Sequence, residues 1–137
     1  MYPPELVKPM EAELTSNGFK AINSPTEIDQ EISKDGTTLV VVNSVCGCAA
    51  GSARPGVVHS LQSDKKPNNL ITVFAGVDRE ATDRARMHML PYPPSSPSVA
   101  LFKDGKLVSI LERHHIEGRT PEMITAHLGM VYEEFCQ

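Results

Sequence analysis

Thr37-Thr38-Leu39-Val40-Val41-Val42-Asn43-Ser44-Val45-Cys46-Gly47-Cys48 is the stretch on which the reading of this chain turns. Its first seven residues form an apolar, β-branched run that is too short for a helix and lacks polar alternation. Such a run predicts a strand buried on both faces, the kind found inside a parallel or mixed sheet. A Cys-Gly-Cys triplet follows the strand, with Cys46 three residues past its end. Open α/β sheets bind and react at the carboxyl ends of their strands, so the triplet lies where a site is expected.

Outward from this strand, helical and strand patterns alternate. Upstream, one helix is expected over Glu5 to Thr15, weakened by Pro9 and closed by Asn17-Gly18. A second begins at Ser24-Pro25-Thr26-Glu27, with Ser24 as cap, Pro25 in the first turn, Glu27 completing a capping box, and Ile28 and Ile32 turned inward. Downstream, a helical stretch ends near Ser63, Leu70 to Ala75 reads as another buried strand, and Asp78 caps a helix through Met89. Four prolines between Pro91 and Pro97 exclude helix and leave a loop or an extended approach to a strand. Val99–Phe102 and Leu107–Leu111 flank Asp104-Gly105, a type I′ hairpin signal. After Thr120-Pro121, the spacing of Ile124, Leu128, Val131 and Phe135 predicts a closing amphipathic helix. The expected class is α/β: a single domain over residues 1–137, with a mixed central sheet and helices on both faces.

The 137 residues carry 13 Lys and Arg against 17 Asp and Glu, a net charge of −4, and 40% are apolar. A chain of this size can build a core without disulfides or structural zinc. With an acidic balance and no basic block, neither nucleic acid nor an anionic membrane is an expected partner. No cationic segment leads into an apolar one near Met1, and no run approaches the ~18 apolar residues of a membrane span. The expected location is therefore cytoplasmic. In such a reducing compartment an odd count of three cysteines argues against structural disulfides and for chemistry or metal at Cys46 and Cys48.

At a strand-to-helix turn the two sulfurs sit near unpaired backbone N–H groups, whose partial positive charge favours thiolate over thiol. Gly47 gives the turn backbone freedom, Arg54 is expected to add positive charge, and no acidic residue lies between Val45 and His59. A disulfide closed across one residue is strained, useless as a staple and readily exchanged. Pro97, immediately before a strand and after Ser95-Ser96, is a candidate for a cis bond presenting backbone to the site, although an ordinary trans proline fits the same position. A competing reading makes Cys46 and Cys48 soft ligands of a zinc or copper module completed by His59, His114, His115 or Cys136, none of which stands at a recognised spacing. Cys136 is expected to be a free thiol at a fraying end. His114 and His115, past the hairpin beside Arg113, are expected on polar surface, facing opposite ways if on a strand.

The stretch Thr37 to Pro55, centred on Asn-Ser-Val-Cys-Gly-Cys-Ala-Ala-Gly, resembles the bacilliredoxins, as do Val73-Phe74-Ala75-Gly76, Pro94-Ser95-Ser96-Pro97-Ser98 and Arg113-His114-His115-Ile116-Glu117-Gly118. The resemblance implies a thioredoxin-like fold and a thiol–disulfide oxidoreductase that releases bacillithiol, a small thiol, from proteins with which it has formed mixed disulfides. It implies Cys46 as nucleophile, Cys48 in the resolving position and Pro97 as a cis-proline facing them. Gly47, Ser96, Pro97 and Arg54 are then the expected substrate-side residues. No metal or bound cofactor is implied, bacillithiol being a co-substrate, and the partners are bacillithiolated or disulfide-containing client proteins. A general disulfide reductase or isomerase is the alternative within the same chemistry.

Overall fold

The computed structural model describes residues 2–137. In chain order it has α1 (Pro4–Thr15), β1 (Lys20–Ala21), α2 (Pro25–Ile32), β2 (Thr37–Asn43), a π-helical turn (Ala49–Ala53), α3 (Arg54–Ser60), β3 (Asn69–Phe74), α4 (Arg79–His88), β4 (Ser98–Lys103), β5 (Lys106–Leu111), α5 (Arg113–Ile116) and α6 (Pro121–Phe135). The five strands form one mixed sheet in the order β1-β3-β2-β4-β5. β1 and β2 run parallel to β3, while β4 is antiparallel to both β2 and β5.

β2 is the central strand, and every one of its residues is buried. Because side chains alternate along a strand, Leu39 and Val41 enter one core with Leu14 of α1, Val57 of α3 and Ile124, Leu128 and Tyr132 of α6. Val40 and Val42 enter the other, with Ile28 and Ile32 of α2 and Ala81 and Ala85 of α4. Each fully buried Val or Leu contributes roughly 1.5–3 kcal/mol relative to exposure, so two apolar layers anchor this strand against slippage. The turn carrying the cysteines thus leaves a fixed point of the fold. On the first face, α3 and α6 cross closely at Gly56, where a Cβ would stand 2.6 Å from Ile124 Cβ and 3.1 Å from the Pro121 carbonyl. Only glycine lets these helices approach so far.

The hairpin between β4 and β5 turns through Asp104 and Gly105 with φ of 51° and 84°, as the Asp-Gly signal requires. Two expected caps do not form. The Ser24 side chain makes no capping hydrogen bond, and Glu27 pairs instead with Lys20 Nζ at 2.8 Å. Asp78 does not cap α4; its Oδ2 accepts from the Phe74 N–H at 3.0 Å and closes the turn between β3 and α4. Strand β1 was not expected. It has two residues, both exposed, and joins the sheet through its backbone alone, so no hydrophobic pattern marks it.

Candidate active site

Where β2 ends, the chain turns through Ser44 and Val45 into a helical stretch that starts at Gly47. The Ser44 hydroxyl accepts from the Cys46 N–H at 2.9 Å, and the Cys46 carbonyl accepts from the N–H groups of Ala49 and Ala50 at 3.0 and 3.2 Å. Cys46 therefore stands at the entry to the helix, where donors without helical partners collect. The next turn is π-helical, a local widening common at functional sites, and leads to Pro55, which has no N–H to return to the preceding turn.

Both cysteines are free thiols, half-buried, with Sγ atoms 2.9 Å apart. Their surroundings split them. The Cys46 thiol lies below an ordinary thiol's 9.0, chiefly because the Cys48 thiol hydrogen-bonds to it, and further because of the Cys48 N–H, the charge of Arg113 and the Ala49 N–H. Cys48 is pushed up to about 11 by burial first, then by its hydrogen bond to Cys46 and by the negative charge there. Together these directions make Cys46 the more readily ionised of the two and Cys48 the one that holds its proton longer. Thiolate character, on which thiol nucleophilicity depends, is thus favoured at Cys46 over Cys48.

Arg54 is a correction to the expected site. It is 1% exposed, with Nε 3.0 Å from Glu13 Oε2 and Nη1 2.9 Å from Asn43 Oδ1 and 2.8 Å from the Ser44 carbonyl. Since the helix carries it inward, it ties α1 and the end of β2 to α3 beneath the turn and offers no charge to a substrate. Asn43 completes this support, its Oδ1 also accepting from the Ser44 N–H and its amide donating to the Met10 carbonyl. The cation that acts on both cysteines is Arg113, at the start of α5. Sequence reasoning had placed it only beside polar surface.

Gly47 is exposed, has no positive φ, and has nothing within 4 Å of where a Cβ would be. The contact between the sulfurs therefore does not use glycine's conformational freedom; Gly47 leaves open space above the pair. The Ser96–Pro97 peptide bond is cis, and so is Leu90–Pro91. Val42 pairs with Ser98, so Pro97 lies beside the end of β2, next to the cysteine turn. The Ser96 carbonyl accepts from Arg113 Nη1 at 3.3 Å, and Ser95 Oγ from the Arg113 N–H at 3.3 Å. These contacts join the proline loop to α5.

The supposed metal ligands do not converge on the cysteines. Cys136 is buried in the core, 4% exposed, and burial raises its thiol. It adjoins Thr37 at the far end of β2, roughly 20 Å of strand away from the cysteine turn, and is not at a frayed end. His59 lies at the opposite end of the helix that Gly47 begins. His114 and His115 belong to the short helix α5, not to a strand, and their rings are 4.0 Å apart on the same side. Glu112, His114 and His115 bring donor atoms within 4.8 Å of one another. The Glu112 side chain and His115 Nδ1 are already engaged with each other's backbone N–H in a capping box.

The model for a family described as disulphide isomerase matches residues 2–136. The chain is 58% identical to a bacilliredoxin of Cytophaga hutchinsonii, covering 98% of this chain and 99% of that one. It is 53% identical to a bacilliredoxin of Halalkalibacterium halodurans, covering 99% and 95%. Among solved structures it resembles a mutant thioredoxin of Halobacterium salinarum, with a TM-score of 0.62 at 16% identity over 88% of this chain and 93% of that one. It also resembles oxidised mitochondrial thioredoxin 3 of Saccharomyces cerevisiae, with a TM-score of 0.57 at 18% identity over 89% and 98%. The thioredoxin fold is thus shared at low identity, while end-to-end similarity in sequence is far higher toward one group: the chain belongs to the bacilliredoxin family and is a thiol–disulfide oxidoreductase.

Proposed function

We propose that this enzyme releases bacillithiol from S-bacillithiolated proteins, with Cys46 as nucleophile and Cys48 as resolving thiol. The observation that carries the assignment of roles is the opposed acidity of two sulfurs in contact. The Cys46 thiolate attacks the bacillithiol sulfur of the mixed disulfide. That S–S bond breaks, the client cysteine leaves as thiolate and takes a proton from solvent, and bacillithiol becomes disulfide-bonded to Cys46. Once Cys46 is in a disulfide its negative charge is gone, and with it two of the four influences that kept Cys48 protonated, leaving burial and the charge of Glu117. Cys48 then gives its proton to solvent and attacks Cys46, expelling bacillithiol as thiolate and closing the Cys46–Cys48 bond. Low-molecular-weight thiols reduce that bond and return the enzyme to its starting state. A second bacillithiol attacking the mixed disulfide directly would complete release with Cys46 alone.

Gly47 and Ser96-Pro97 border the space that the mixed disulfide would enter. The clients are bacillithiolated or disulfide-containing proteins of a reducing cytoplasm, and the chemistry needs no metal or bound cofactor. The description disulphide isomerase favours a second reading, in which the same pair exchanges protein disulfides without preference for bacillithiol. A single client protein, prepared once with bacillithiol and once with glutathione on the same cysteine, separates them. Faster release of bacillithiol supports the proposal; equal rates assign the chain to general exchange.

A further inference from the structure

Arg113 lies within electrostatic reach of the cysteine pair with part of its hydrogen-bonding capacity unused. Its N–H and Nη1 are fixed to Ser95 and to the carbonyl of Ser96, the residue that precedes cis-Pro97 beside the end of β2. Its Nε pairs with Glu117 Oε1 at 2.5 Å, and its side chain is 46% exposed. Among the described residues, Nη2 has no acceptor within hydrogen-bonding distance. The guanidinium is thus positioned by the proline loop, lies within electrostatic reach of both sulfurs, and presents a free edge to solvent. The other carboxylate nearby, Glu112, is turned to its own helix cap and is 7% exposed, leaving Glu117 as the carboxylate that competes for Arg113.

A small thiol entering a mixed disulfide with Cys46 brings the rest of its molecule to the rim of this turn. If it carries a carboxylate, that group meets a negative thiolate and is repelled unless a cation offsets it. Arg113 is a cation whose charge reaches both sulfurs, whereas Arg54 is buried and already paired. A carboxylate binds a guanidinium edge through charge-assisted hydrogen bonds, about twice as strong as neutral ones.

We propose that Arg113 is a specificity-determining residue that receives a carboxylate of the small thiol, with Glu117 occupying the same guanidinium until the ligand displaces it. The identity of the ligand as a small thiol rests on the function proposed above; the anion site itself rests on the geometry of α5 and the proline loop.

The test compares alkylation of Cys46 by iodoacetate and by iodoacetamide, in each case with Sγ displacing iodide and the adduct located by peptide mass spectrometry. The reagents differ in charge, and their rate ratio is independent of how much thiolate is present. In Arg113→Gln the iodoacetate-to-iodoacetamide ratio should fall by about tenfold, the scale expected for a charge-assisted pair. Arg113→Lys should retain most of it, and 0.5 M salt should bring the wild type toward the Gln variant. Glu117→Gln, which releases the guanidinium, should raise the ratio. Should the ratio be unchanged in Arg113→Gln while Cys46 still reacts, or fall in Glu117→Gln, the assignment is overturned. Since neither reagent is a client, loss of bacillithiol preference with a normal ratio refutes the proposed function and leaves the anion site standing. The reverse result does the opposite.

Discussion

The sulfurs of Cys46 and Cys48 are in hydrogen-bonding contact at 2.9 Å, and this contact is the largest of the influences holding the Cys46 thiol below its ordinary value. Cys48 therefore makes its neighbour the more readily ionised thiol, and in the proposed mechanism it does so before any resolving step of its own. The difference between the two thiols comes from position along one helical turn: Cys46 at the entry, near free N–H groups, and Cys48 farther in, packed against the core formed by α1, α3 and α6.

Cys48→Ala removes that contact. The pH midpoint for iodoacetamide alkylation of Cys46 should rise toward the ordinary thiol value, and release of a small thiol from a client should slow or stop at a trapped Cys46 adduct visible by intact mass. Cys46→Ala should abolish release altogether. Equal residual turnover in the two variants would contradict the division of roles.

Arg54 and Arg113 separate support from electrostatics. Arg54→Leu strips Asn43 Oδ1 and the Ser44 carbonyl of a buried donor and should cost about 3 kcal/mol of stability in urea unfolding. Arg113→Gln, at the surface, should change stability by less than about 0.5 kcal/mol yet raise the alkylation midpoint of Cys46. The opposite pattern, a stable Arg54 variant or an unmoved midpoint in the Arg113 variant, would show that the two arginines have been assigned the wrong tasks.

The glycines differ in the same measurable way. Gly56→Ala drives a Cβ into Ile124 and should destabilise by about 1–3 kcal/mol. Gly47→Ala meets open space and should melt close to the wild type while slowing reaction with bulky protein disulfides more than with iodoacetamide. Thermal melts of the two variants, run side by side, check the first contrast.

Acid stability has contributors away from the site, Asp29 among them. Asp29 is held at about 2 by hydrogen bonds first from Arg84 and then from His88, against an ordinary 3.8. A carboxyl lowered by folding stabilises fully above its unfolded value, and this contribution is lost as pH falls from about 3.8 to about 2. Asp29→Asn should flatten the urea midpoint over that window; an unchanged acid limb would contradict the pairing.

The features legible in the sequence were those enforced by repeated side-chain pattern. The Thr37–Asn43 run could be buried only as a central strand, Asp104-Gly105 could serve only as a tight turn, and Ile124, Leu128 and Val131 could face only one way on a helix. The position of Cys46 and Cys48 just past a strand end was legible because they follow the Thr37–Asn43 run directly in sequence. Arg54 misled because nearness along the chain was read as nearness to the sulfurs, whereas the helix turned it inward to Glu13, Asn43 and Ser44. Arg113 was missed for the converse reason: it reaches the site only through the packing of α5 on the proline loop, although its place in Arg113-His114-His115 had been noticed. Cys136, expected to fray, is instead enclosed by the core at the base of β2, because the closing helix runs on to Phe135.

The pH dependence of Cys46 alkylation in the fully reduced wild type tests the central claim most directly. Iodoacetamide should modify Cys46 with a midpoint below the ordinary 9.0, well before Cys48, whose thiol titrates at about 11. A Cys46 that is shielded from the reagent, or that titrates at or above 9.0 while Cys48 reacts first, would contradict it.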